Sequence, residues 1–241
     1  MASPKEQPTS TGPRKVRLSR ELVLKTALEL VDANGLEALS MRRLGQELGC
    51  DPMSLYRYAA NRAALLDGVT EAVMNELSLS ADDPDWQVQL RRIAHDLRLL
   101  ALRHPNTVPL LVTRPLSTPL GLRPLGTLRP LEQILGLLIE ADFEPTDALH
   151  VYRAFYGFVY GHILNDFQEL VVDADENEAT LRLGLHHLPV KEFPHLRALG
   201  PVLAEYDGAA ELDQGLTILL SGLAEQLKVS GSDAVPAASQ L

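Results

Sequence analysis

Residues 39–66, LSMRRLGQELGCDPMSLYRYAANRAALL, constrain this chain more than any other stretch. Three helix starts are marked within them. Ser40, Asp51 and Asn61 each precede helix-forming residues, and their short polar side chains can accept a hydrogen bond from the first helical turn. Pro52 falls at the first position after Asp51, where a missing N–H costs nothing. Gly49 permits a tight turn between the first two segments. Leu39, Leu44, Leu48, Cys50, Leu55, Leu65 and Leu66 make one compact apolar set, which leaves Arg42, Arg43, Pro52, Met53, Ser54, Tyr56, Arg57, Tyr58 and Arg62 pointing outward. Two outward tyrosines on so short a helix are costly unless they contact something. Paired short helices whose second member carries hydroxyls and guanidinium groups have the build of a helix-turn-helix that enters the DNA major groove.

The flanking sequence fits an all-α chain. Ser19 can cap a helix with Glu21 in its first turn and Val23, Ala27, Leu30 and Val31 on its inner side, and Asn34-Gly35 ends it. A helix from Asn61 is expected to run to about residue 79. After the break at 80–84, helices are expected at about 85–103, 131–141, 146–170, 177–188 and 208–228. Six prolines between 105 and 130 leave room there only for short helical pieces and a loop. Phe193-Pro194-His195 marks another loop. No segment alternates with the period of a strand, and no 20–50-residue repeat is present. The expected architecture is an N-terminal three-helix helix-turn-helix DNA-binding domain followed by a C-terminal helical ligand-binding and dimerisation domain. Its divisions are a disordered basic arm at 1–18, the DNA-binding domain at 19–66, the effector-binding and dimerisation domain at 67–229, and a disordered tail at 230–241. Arg14, Lys15 and Arg17 in the arm either touch DNA phosphates or the minor groove, or form a solvated tail.

Net charge is −10, which at first argues against a nucleic-acid partner. Its distribution reverses that inference. Residues 1–70 carry 10 basic and 8 acidic side chains, and the remainder carries 12 and 24. An acidic body beneath a mildly basic head repels a duplex everywhere except at the head. One cysteine excludes an intrachain disulfide and fits a reducing cytoplasm. Cys50 itself reads as core packing in the turn, with a thiol switch as the sharper alternative. The N-terminus has no apolar run of the signal-peptide kind, and Leu131–Ile139 is too short to span a membrane. The chain lacks a nucleophile-elbow Gly-x-Ser-x-Gly, a phosphate loop, a dinucleotide glycine fingerprint and a Cys/His metal cluster, so neither catalysis nor a cofactor nor a metal is expected.

The head resembles the tetracycline-repressor (TetR) family of one-component regulators. The matching residues are Ala27-Leu-Glu-Leu-Val with Gly35, Leu39-Ser-Met-Arg-Arg-Leu, Leu48-Gly-Cys, and Ser54-Leu-Tyr-Arg-Tyr-Ala-Ala-Asn-Arg with Leu65-Leu66. Ala59-Ala60 departs from the family, which often has a larger apolar residue and then a polar one. The resemblance implies roles position by position. Arg42 would reach a base edge, and Pro52, Met53 and Ser54 would open the recognition helix and face bases. Arg57 would contact a base or a phosphate, Tyr56 and Tyr58 would donate hydroxyls to phosphates, and Arg62 would clamp a phosphate. An arginine bidentate to guanine discriminates by about 1–3 kcal/mol. Phosphate contacts set register without reading sequence.

The body resembles the family's effector-binding domain more loosely, through Val112-Thr-Arg-Pro115, Phe155-Tyr-Gly-Phe-Val-Tyr-Gly-His-Ile-Leu-Asn-Asp166 and Phe193-Pro-His-Leu196. The resemblance implies that the long helix and the final helix pack on their twins in a homodimer. Ala154, Gly157 and Gly161 make a flat stripe at helical spacing, suited to close approach by another helix of either subunit. Leu212, Leu216, Leu219, Leu220 and Leu223 give the last helix a broad apolar face, also expected at the dimer interface. An effector cavity is expected with Leu97, Leu100, Leu111, Leu128, Leu135, Tyr152, Tyr156 and Val159 as walls and His104, Thr113, Arg114 and Asn165 as polar handles. Tetracycline repressors hold a drug–magnesium chelate with a histidine before the Thr-Arg-Pro motif and a glutamate late in the long helix. Leu110 and Asn165 occupy those places here, so the expected effector is an apolar or amphipathic organic molecule. The implied function is effector-responsive repression at a palindromic operator in the cytoplasm. The partners are double-stranded DNA, a small effector and a second copy of the chain, with no membrane partner. The alternative is a helical ligand- or protein-binding module without sequence-specific DNA binding.

Overall fold

The computed structural model describes residues 18–77, 83, 85–117, 119–169 and 184–230, and of residues 114–117, 168, 169, 204 and 228–230 the backbone alone. Among the described residues every regular element is helical. The arm at 1–17, the tail at 231–241 and most of the helix expected at 177–188 lie outside them.

Local capping builds the head. Helix α1 (Arg20–Asn34) starts where Ser19 Oγ accepts the Leu22 N–H at 3.1 Å, and it ends at Gly35, whose φ is +78°. It buries Val23, Ala27, Leu30 and Val31, as their spacing predicts, together with Leu24 and Leu28. A 3-10 turn at Leu36–Ala38 leads to α2 (Met41–Glu47), capped by Ser40 Oγ on the Arg43 N–H at 3.2 Å. Two glycines then shape the turn. Gly49 takes φ +61°, and a Cβ on Gly45 would lie 3.0 Å from the Cys50 carbonyl that folds back over it. Asp51 Oδ1 accepts the Met53 N–H at 2.8 Å and opens the third element, Pro52–Arg57. This is a six-residue 3-10 helix, shorter and tighter than the α-helix expected. Asn61 caps α3 (Arg62–Met74) through the Ala64 N–H at 2.8 Å. Helix α3 stops at Asn75, short of the expected end near residue 79.

The body contains α4 (Trp86–Arg103), α5 (Val108–Ser117), α6 (Leu125–Glu140), α7 (Pro145–Glu169), α8 (Pro194–Ala198), α9 (Gly200–Ala204) and α10 (Gly208–Ser230). The proline-rich segment is more helical than its composition suggests. Pro105 starts a 3-10 turn, Pro109 is the second residue of α5, and Pro119 and Pro124 each stand immediately before a helical element. In a first turn the N–H has no intrahelical partner, so proline removes nothing. Pro115 lies inside α5 and Pro130 inside α6, each at the loss of one bond, and α6 begins six residues earlier than expected. The expected loop at Phe193-Pro194-His195 is also corrected, because Pro194 is the first residue of α8. Arg197 fastens that helix by donating to the carbonyls of His186 and Leu188, both at 2.9 Å, at the edge of the 3-10 turn Leu185–His187.

One apolar cluster runs from Val23 in the head to Leu220 in α10. Helices α4, α6, α7 and α10 pack together, and α3 packs on α1, α5 and α6. Helix α3 thus belongs to the head and to the body core at once. Trp86 meets Phe143 edge-on at 5.0 Å near the start of α4. Arg98 Nε bonds to Asp166 Oδ2 at 2.6 Å, a buried ion pair that fastens α4 to α7. Among the described residues no helix is long and apolar enough to cross a membrane.

Candidate DNA-reading head and effector cavity

The capped turn after α2 sets the outer face of the head. Leu44 and Leu55 are fully buried beneath it, which leaves Arg42, Met53, Tyr56 and Arg57 exposed and Pro52 and Ser54 half-buried. Met53 is 72% exposed, a large apolar surface for a soluble face and one suited to an apolar contact with a base edge. The Arg57 guanidinium lies 4.8 Å from the centre of the Tyr58 ring. Ser54 Oγ donates to the Asp51 carbonyl at 2.6 Å and so helps to close its own turn.

Two of the residues expected at phosphates bond to backbone carbonyls of the protein itself. Tyr58 donates its hydroxyl proton to the Leu18 carbonyl at 2.8 Å, tying the end of the 3-10 helix to the start of α1. Arg62 donates from Nε to the Leu39 carbonyl at 3.2 Å and from Nη2 to the Leu36 carbonyl at 3.0 Å, and it stands 3.8 Å from Glu37. It therefore satisfies the carbonyls of the α1–α2 connection. Those carbonyl acceptors are invisible to spacing rules, which place Arg62 only at an outward position.

A cavity of about 720 Å³, its open mouth included, lies directly above α3. Asp67, Thr70 and Met74 of α3 form its floor, with Leu111 of α5 and Arg123, Pro124 and Thr127 at the start of α6. Tyr152, Tyr156 and Tyr160 of α7 form its wall. They recur every four residues, so their rings form a ladder with centres 4.7 and 5.2 Å apart. Burial raises all three hydroxyls above the ordinary phenol range. The neighbouring tyrosines add to this at Tyr156 and Tyr160, and the Arg123 charge partly opposes it at Tyr152. The phenols are therefore neutral donors at physiological pH. Thr70 and Thr127 commit their protons to the Leu66 and Pro124 carbonyls, at 2.9 and 2.7 Å, and turn only lone pairs to the cavity.

Of the expected lining residues, the structure brings Leu111, Tyr152 and Tyr156 together at this cavity. Leu97, Leu100 and Val159 are buried core residues, and Leu128 and Leu135 are half-buried in α6 without lining it. Thr113 is exposed and bonds to Pro109 O, and Asn165 is exposed on α7. The Arg114 side chain lies outside the described atoms. Leu110, at the place of the chelating histidine, is buried and apolar. Tyr160, Arg123, Pro124, Thr127 and the three α3 residues are not among those the sequence points to. The Tyr152, Tyr156, Tyr160 repeat was the available signal for the first of them.

His104 is also corrected. It is buried, but it faces the head and not the cavity: Nδ1 lies 2.8 Å from Asp32 Oδ2 and Nε2 lies 3.3 Å from Glu76 Oε2.

The two expected dimer surfaces differ. Gly157 and Gly161 are exposed with open space where a Cβ would stand, and Ala154 is half-buried on the same side of α7. On α10, however, Leu212, Leu216 and Leu220 are fully buried in the subunit's own core, and Leu219 and Leu223 are half-buried. Gly215 explains the orientation. A Cβ there would stand 2.3 Å from the Phe158 ring, so α7 and α10 approach closely through it. The outward side of α10 carries Ile218, 71% exposed, and the outward side of α7 carries Leu164.

Two family descriptions match the sequence. Residues 23–69 match the bacterial regulatory proteins of the tetR family, and residues 80–227 match the tetracyclin repressor-like C-terminal domain. The class C tetracycline repressor protein of Escherichia coli is 30% identical over 224 residues, covering 90% of this chain and 95% of that protein. Apo ActR of Streptomyces coelicolor superposes with a TM-score of 0.70 at 28% identity, covering 88% of this chain and 98% of ActR. The ActR complex with actinorhodin gives the same TM-score and identity over 87% of this chain.

Proposed function

The chain belongs to the tetracycline-repressor family and is a ligand-responsive DNA-binding transcriptional repressor, and from that premise we propose how it works. Its fold supports DNA binding, effector binding and dimerisation. The operator is a short palindrome read by a homodimer, since two heads reach successive major grooves only about 34–36 Å apart. The acting site is the cytoplasm, where the operator lies, and the chain carries out no catalysis. Arg42, Pro52, Met53, Ser54, Tyr56 and Arg57 face the duplex, with Arg42 and Met53 at base edges and Tyr56 on phosphate. Twin copies meet through Ala154, Gly157, Gly161 and Leu164 of α7 and Ile218, Leu219 and Leu223 of α10. The head occupies residues 19–66 and the effector and dimerisation body residues 67–229.

One observation carries the mechanism: α3 is both the floor of the cavity and part of the head. An effector that fits better when α3 is tilted shifts the population toward dimers whose heads are mis-spaced for the operator. A hundredfold preference for that state supplies about 2.7 kcal/mol of coupling. The tyrosine ladder, the neutral phenol donors and Arg123 favour a planar aromatic effector with several acceptor oxygens. Leu110 and the outward Asn165 argue against anchoring through a magnesium chelate.

The test is selection of random duplex DNA by the purified protein, titration of the enriched sequence at two salt concentrations, and release by a panel of aromatic carbonyl compounds that starts with actinorhodin. A palindromic winner, bound more weakly as salt rises and released by members of the panel, supports the reading. An intact dimer that enriches no sequence supports a binding module instead.

A further inference from the structure

The corner where head meets body holds four ionisable groups from three elements. Asp32 lies near the end of α1, Glu76 just beyond α3, and Arg103 and His104 at the end of α4. His104 stands between the carboxylates, 2.8 Å from Asp32 through Nδ1 and 3.3 Å from Glu76 through Nε2. Arg103 Nη1 reaches the same Glu76 oxygen at 2.9 Å. Two residues on, Asn106 Nδ2 donates to the carbonyls of Val31 and Asp32 at 3.2 and 3.0 Å, so the end of α1 is gripped twice from the body. The carboxylate end of that grip has no substitute. Asp32 Oδ1 is buried and finds no partner among the described residues, so that carboxylate depends on His104. A carboxylate only accepts, so a ring nitrogen that carries a proton donates it to the carboxylate beside it.

We propose that His104 is a positioning residue for DNA binding, a strap that fixes the angle of each head on its body. The proposal rests on the two-headed repressor reading. His104 touches neither the cavity nor the reading face, so it acts through geometry. With the strap in place, each head is pre-set at one angle, and binding the second half-site costs little further ordering. Without it, Asp32 turns out to water, the end of α1 keeps only the Asn106 bonds, and the heads sample a wider range of separations. A broadened distribution weakens simultaneous engagement of two half-sites and leaves a single half-site contact untouched.

That split provides the test. Wild-type protein and the variants His104→Gln and Asp32→Asn are titrated with the selected palindromic duplex and with a duplex carrying one half-site. Glutamine presents both amide protons on one nitrogen and cannot span two carboxylates on opposite sides of a ring. Both variants are expected to lose about tenfold in affinity for the palindrome, within the usual span of coupling between sites, with half-site affinity unchanged. Loss of affinity for both duplexes together means a damaged head and overturns the strap. Unchanged affinity for both overturns it equally. Glu76→Gln, at the more exposed of the two carboxylates, repeats the test if His104→Gln does not fold. A wild-type protein that binds the palindrome no better than the half-site defeats the two-headed reading beneath the proposal, a failure distinct from that of the strap.

Discussion

Helix α10 makes its two faces separately testable. Leu216 is fully buried in its own subunit, and Ile218, two residues on, is 71% exposed. Leu216→Ala deletes three buried carbons, a transfer loss of about 2.4 kcal/mol at ~0.8 kcal/mol each. The cavity left behind brings the total to about 3–5 kcal/mol. For a chain of this size each kcal/mol moves the melting temperature by about 2–4 °C, so a fall of roughly 6–20 °C is expected. The folded variant should still sediment as a dimer at low temperature. Ile218→Asp should do the reverse. Within one subunit an exposed substitution costs no more than about 0.5 kcal/mol. Across a dimer interface it buries a carboxylate without a partner, and the dimer should dissociate. Thermal unfolding at several concentrations, combined with sedimentation velocity, separates the cases, because only a dimer has a melting temperature that rises with concentration. A Leu216→Ala protein that dissociates without losing melting temperature would refute the assigned orientation of α10. So would an Ile218→Asp protein that unfolds early yet remains dimeric.

Three further outcomes follow from the described contacts. Arg42→Ala should cost about 1–3 kcal/mol and relax preference at one base position, and Tyr56→Phe should weaken binding evenly across sequences; both are read by competition against a panel of operator variants. Asp166→Ala strands Arg98 in a mostly buried position and should destabilise the fold by about 3–5 kcal/mol in denaturant titration, whereas breaking the exposed Lys25–Glu29 pair should cost less than about 0.5 kcal/mol. The raised hydroxyls of Tyr152, Tyr156 and Tyr160 mean that the unfolded chain loses these protons first as pH climbs past about 10, so stability should be intact below that pH and fall above it by up to about 1.4 kcal/mol per unit for each tyrosine. An ultraviolet phenolate titration in which all six tyrosines ionise together near pH 10 would contradict it.

The head was legible because its signals are local. Ser19, Ser40, Asp51 and Asn61 cap as their residue types predict, since a cap needs only the next three residues to define it. The body was legible in fold and less so in facing. An apolar stripe such as Leu212, Leu216 and Leu220 looks the same in sequence whether it meets its own core or a twin, and Gly215 against Phe158 decides the matter only in three dimensions. His104 illustrates a second limit. A histidine beside a proline-rich stretch suits a ligand cavity and a head–body contact equally, and Asp32, 72 residues away, is the deciding partner. The prolines of 105–130 misled because composition counts them without locating them. Most stand at helix starts, where they do no harm.

The bond from the Tyr58 hydroxyl to the Leu18 carbonyl fixes where the chain enters the head. Leu18 is thereby anchored beside the last residues of the 3-10 helix proposed to face the duplex. Arg17, Lys15 and Arg14 precede it by one, three and four residues. A polypeptide spans at most about 3.6 Å per residue, so the Arg14 Cα can stand no more than about 14 Å from the Leu18 Cα. If those cations touch backbone phosphates, one of the two readings of the arm, the encounter is an intramolecular event once the head has docked, governed by tether length and independent of protein concentration. Lengthening the segment between Arg17 and Leu18 with a flexible insert would dilute those charges at the duplex without altering a residue of the reading face.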